Sequence, residues 1–64
     1  MSVAQEIQDQ VESVKVQVST GELSAADGAD ILGELKSVQE ALGTAEAEIA
    51  VRYLVEAIEV LSKA

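Results

Sequence analysis

Every charged residue from Glu48 to Lys63, namely Glu48, Arg52, Glu56, Glu59 and Lys63, falls on one narrow stripe when the segment is wound at about 100° per residue. Nearly all the remaining positions, from Ala47 and Ile49 through Tyr53 and Leu54 to Ile58, Val60 and Leu61, are apolar and cover well over half the circumference. A helix resting on one neighbour needs an apolar stripe of only about 100°. This segment therefore predicts a helix that must face two neighbours, or one neighbour and a partner. Its charged stripe is its water side, ordered for the pairs Glu48 with Arg52, Arg52 with Glu56 and Glu59 with Lys63, each worth about 0.2–0.5 kcal/mol on an exposed helix.

The rest of the chain supplies two helices to serve as those neighbours. Val3, Ile7, Val11, Val14 and Val18 recur at spacings of four, four, three and four, and Ser2 with Gln5 fits a capping box ahead of them. Val14 to Val18 also alternates as a strand would, with β-branched residues of low helix propensity, but a lone strand would have no partner here. Thr20-Gly21 marks the stop. Ser24 and Asp27 read as a second N-terminal cap, followed by an apolar line of Gly28, Ile31, Leu35, Val38 and Leu42 with Leu32 at its margin. Gly28 lies within that line, where a missing side chain lets another helix approach, whereas Gly33 projects to the opposite side and costs about 1 kcal/mol relative to Ala. Gly43-Thr44 reads as a C-terminal glycine joined directly to the next N-cap, hence a tight αα-hairpin. The expectation is an all-α small three-helix bundle, one helical domain over residues 1–64, with helices near 3–19, 24–42 and 45–62 and helix 3 central.

A chain of 64 residues buries only roughly 60% of its unfolded surface, so its core is marginal. Without cysteine or histidine, neither a disulfide nor the usual structural metal site can reinforce it, which leaves association as the available stabiliser. Twelve acidic residues against four basic ones give a net charge of -8, which repels phosphate backbones and anionic lipid heads. Direct nucleic-acid binding and membrane binding are therefore not expected. The opening Met-Ser-Val-Ala-Gln-Glu lacks a basic run followed by an apolar segment, and no stretch reaches the length of about 18 apolar residues that a membrane span needs. A cytoplasmic location is expected, with a virion or other assembly left open.

Chemistry is poorly provided for. The sequence holds no His, Cys, Trp, Phe, Pro or Asn, no phosphate-binding glycine loop, and no base to activate its serines. No catalytic residue, cofactor-binding residue or metal ligand is expected, and Asp27, Asp30 and Glu34 read as a solvated acidic face. The expected function is non-enzymatic: an acidic helical protein-interaction module acting as adaptor, inhibitor or regulator of a protein partner. One alternative is a structural accessory subunit of a larger assembly, phage or viral among them. Another is a DNA mimic, with Glu6, Asp9 and Glu12 continuing a row of carboxylates. The candidate protein interface is the margin of helix 3 that carries Ile49, Tyr53, Ala57 and Val60, through which a homodimer could form. Tyr53 is the sole aromatic residue and has the amphipathic character favoured at contacts, whereas Val16 stands alone opposite the helix 1 stripe.

Overall fold

Three local stop-and-start signals divide the chain. In a computed structural model that describes residues 2–63, α1 runs over Val3–Ser19, α2 over Ala25–Leu42 and α3 over Ala45–Lys63. Each begins on a hydroxyl that accepts an otherwise unpaired backbone N–H of the first turn: Gln5 N–H donates to Ser2 Oγ at 3.1 Å, Asp27 N–H to Ser24 Oγ at 3.1 Å, and Ala47 N–H to Thr44 Oγ1 at 3.0 Å. The Ser2 cap is half of the expected box, because the Gln5 side chain turns forward and donates to Asp9 Oδ1 at 3.2 Å. α1 ends in a Schellman arrangement around Gly21, whose φ of 85° suits glycine: Glu22 N–H donates to the Gln17 carbonyl and Gly21 N–H to that of Val18. α2 ends on Gly43 at φ 66°, and Thr44 opens α3 at once, which confirms the short hairpin.

The strand-like run Val14 to Val18 is helical, as is every other regular element among the described residues. α3 is central: it packs against both other helices, while α1 and α2 touch one another least. The Cα envelope, 33 × 21 × 14 Å, is accordingly flattened, with α1 and α2 lying along the two flanks of α3. Val11, Leu32 and Leu54 are the largest fully buried side chains, one from each helix, joined by Ile7, Val14, Ala50, Ala57 and Leu61. Gly28 is a point of close approach between the helices, since a Cβ there would stand 2.8 Å from Val18 Cγ2 and 3.2 Å from both Leu61 Cδ1 and Val14 Cγ1.

α2 is turned differently from the expectation. Its inward line is Gly28, Leu32 and Gln39, and Leu32 is fully buried, whereas Ile31, Val38 and Leu42 are exposed. The inward direction is shifted by about 60° around the helix axis from the expected one, with Gly28 common to both lines. In this orientation α2 makes the most extensive helix–helix contact of the bundle, against α3, with Leu32 and Gln39 turned inward. The same rotation moves Gly33 from the far side of α2 to the edge of a cleft of about 380 Å³ over α3, where nothing lies within 4 Å of the position its Cβ would take.

Candidate protein interface

The α3 margin expected as a contact surface is split by the bundle. Ile49 and Val60 are 57% and 58% exposed, Tyr53 is half-buried against the core, and Ala57 is 3% exposed. Ala57 is thus a core residue, and it lines a crevice of about 110 Å³ together with Tyr53, Glu56 and Val60 of α3 and Lys15 of α1. The crevice follows the α1–α3 seam, because α1 occupies the flank of α3 that carries Tyr53. Apolar surface and a single cation therefore meet at this place.

A second apolar surface lies on α2 and follows directly from the rotation of that helix. Ile31, Leu35, Val38 and Leu42 are spaced four, three and four, so they share one side of α2 within about 60° of one another. Leu35 is half-buried against the core, while Val38 and Leu42 are 55% and 57% exposed and Ile31 lies between these extremes. The spacing signal was present in the sequence and predicted a core line. The core uses the adjacent line of Leu32 and Gln39, and the seam is left facing water.

Charge is distributed unevenly about these surfaces. All twelve Asp and Glu side chains are exposed. Among the described residues the one ion pair is Lys36 Nζ with Glu40 Oε2 at 3.4 Å, so the expected pairs on α3 do not close and their carboxylates and cations stand in water. Lys15 sits in the α1–α3 crevice, Lys36 beside the α2–α3 cleft, and Arg52 in a second α2–α3 cleft. Asp27 and Glu34, by contrast, lie along the solvent side of the α2 seam, one position before Gly28 and Leu35 in the same repeat.

The second α2–α3 cleft, about 330 Å³, is lined by Gln39, Glu40, Gly43, Glu48, Val51 and Arg52. Gln39 is 5% exposed, and its Oε1 accepts no hydrogen bond. Among the described residues, no three or more Asp and Glu side chains converge as a metal site, and no helix is long and apolar enough to cross a membrane. Asp27, Asp30 and Glu34 are each exposed. Comparison with family models, with curated proteins and with solved structures returns no match to this chain.

Proposed function

We propose that this chain is a non-enzymatic protein-interaction module, an acidic helical bundle that acts as an adaptor, inhibitor or regulator by docking on another protein. The observation that carries the reading is the set of large apolar side chains left on helix faces, Ile31, Val38 and Leu42 on α2 and Ile49 and Val60 on α3, beside a core already filled by residues from all three helices. Single exposed apolar residues such as Val16 are ordinary, but apolar residues aligned along one helix face are the form that helix-in-groove recognition takes. Burying a few hundred Å² of such surface at about 25 cal/mol per Å² is worth several kcal/mol before association entropy is subtracted, comparable with the whole stability of a domain this small.

Affinity capture from the native source, identified by mass spectrometry, tests the reading when wild type is compared with variants carrying Val38→Ser with Leu42→Ser, or Ile49→Ser with Val60→Ser. A stoichiometric protein partner lost with one pair of substitutions is the expected result. Recovery of the same proteins by wild type and both variants would count against the module. A second form of the reading is favoured by the exposure of Ile49 and Val60: a homodimer through α3, in which Tyr53 adds its exposed edge and Ala57 lies beneath. Light scattering across a concentration series is expected to show dimer for wild type and monomer for Val60→Glu. A wild type that stays monomeric at hundreds of micromolar rules the homodimer out.

A further inference from the structure

We infer that the α2 seam formed by Ile31, Leu35, Val38 and Leu42 is the docking surface for a basic amphipathic helix of a protein partner. This rests on the reading of the chain as an interaction module and adds the site and the chemistry of what binds there. The seam spans twelve residues from Ile31 to Leu42, about 16 Å of helix axis, and its four-three-four spacing is that of a coiled-coil contact line. Of the four, only Leu35 packs against the core within the chain, while Val38 and Leu42 expose more than half their surface. A partner helix laid along α2 completes the packing with side chains at the matching spacing.

Charge decides which helix that is. In a coiled-coil contact the positions flanking the apolar line face the flanking positions of the partner, and here the flank open to water carries Asp27 and Glu34. The opposite flank, Leu32 and Gln39, is buried in the bundle and offers nothing to a partner. None of the four basic residues pairs with these acids: Lys15 lines the α1–α3 crevice, Arg52 lines the second α2–α3 cleft, Lys36 pairs with Glu40, and Lys63 shares the outer stripe of α3 with Arg52. A second copy laid antiparallel on the seam would set Asp27 and Glu34 against the same residues of its twin. A helix with apolar residues in heptad spacing and Lys or Arg beside them meets apolar surface with apolar surface and acid with base. An anionic lipid surface is repelled by the same carboxylates.

The test uses three peptides of about 18 residues titrated into the isotopically labelled full chain: one with Leu in heptad spacing flanked by Lys, its twin with Glu for Lys, and a scrambled Lys peptide of the same composition. The Lys peptide is expected to bind saturably and to shift the amides of α2 around Ile31 to Leu42, with the twin and the scrambled peptide at least about tenfold weaker. Val38→Ser and Leu42→Ser, which replace exposed residues and keep the helical circular dichroism, are each expected to weaken the Lys peptide by about tenfold. Glu34→Lys is expected to weaken the Lys peptide and tighten its Glu twin. The inference is overturned if the Lys peptide does not saturate by about 1 mM, if the scrambled peptide binds equally well, or if the shifts gather on Ile49, Tyr53 and Val60. That last outcome, or a natural partner captured through α3 alone, sinks the seam while the interaction module stands; capture of no partner by wild type sinks the module itself.

Discussion

Adding a methyl group to α2 is expected to have opposite effects at positions only five residues apart: Gly33→Ala raises the stability of the bundle and Gly28→Ala lowers it. Both glycines have ordinary helical backbone angles, so Ala gains about 1 kcal/mol of helix propensity at either site. At Gly33 nothing lies within 4 Å of the new carbon, and that gain is kept. At Gly28 the new carbon would stand 2.8 Å from Val18 Cγ2, on a β-branched side chain that cannot fold away, and 3.2 Å from Val14 and Leu61. Overpacking of this kind costs about 1–3 kcal/mol, which outweighs the propensity gain and leaves Gly28→Ala lower by about 1 kcal/mol. Gly28→Val, larger again and β-branched, is expected to lose about 3 kcal/mol, most of the stability available to a domain of this length. Urea denaturation of the three variants measures the differences. A Gly28→Ala protein as stable as Gly33→Ala would mean that the helices do not close on that position.

Replacing Gln39 by Met is expected to stabilise the fold by about 1–2 kcal/mol. The Gln39 side chain is buried in the α2 core line, and its carbonyl oxygen has exchanged water for no hydrogen-bond partner, a loss of about 1–3 kcal/mol. Methionine matches glutamine in length and lack of branching, carries no strong acceptor and fits irregular space, so the penalty is removed without a new cavity. For a chain of this size the gain corresponds to a rise in Tm of roughly 5–15 °C. Gln39→Glu is the opposing control, since a buried carboxylate without a partner is costlier than an amide. Thermal melts of both variants against wild type decide the matter. An unchanged or lower Tm for Gln39→Met would show that the carbonyl finds a partner in solution.

Gln39 also marks the limit of what could be read from residue types. The helix boundaries were legible because their determinants are local: a hydroxyl at Ser2, Ser24 or Thr44, a glycine at Gly21 or Gly43, and a period close to that of the helix. The centrality of α3 was legible because an apolar face that wide needs two neighbours. The facing of α2 was not. Its sequence holds two overlapping inward lines, and the regular one through Ile31, Val38 and Leu42 outscores the one through Leu32 and Gln39 for any reader who expects glutamine outside. The choice between them is made where α2 meets its neighbouring helices, a property of the helices together that no pattern within α2 carries. The α3 ion pairs failed for a related reason: the order of charges permits contact, but ordering two long side chains in water costs about what the contact returns. Of the candidate interface, Ile49 and Val60 stand on the surface and Ala57 in the core, a division set by where α1 lies along α3.

The connection of α2 to α3 through Gly43 and Thr44 alone bears on the order in which the molecule assembles and comes apart. Two residues close that loop with little loss of chain entropy, and the pair it joins makes the broadest contact in the bundle, so α2 and α3 form a hairpin nucleus of low contact order. α1 reaches them across five residues, Thr20 to Ser24, and rests mainly on one flank of α3. It is accordingly expected to open first, and amides around Ile7 and Val11 are expected to exchange with solvent deuterium ahead of those around Leu32 and Leu54. Such an opening would uncover the Tyr53 side of α3, giving the opened bundle a wider apolar face than the one it shows when closed.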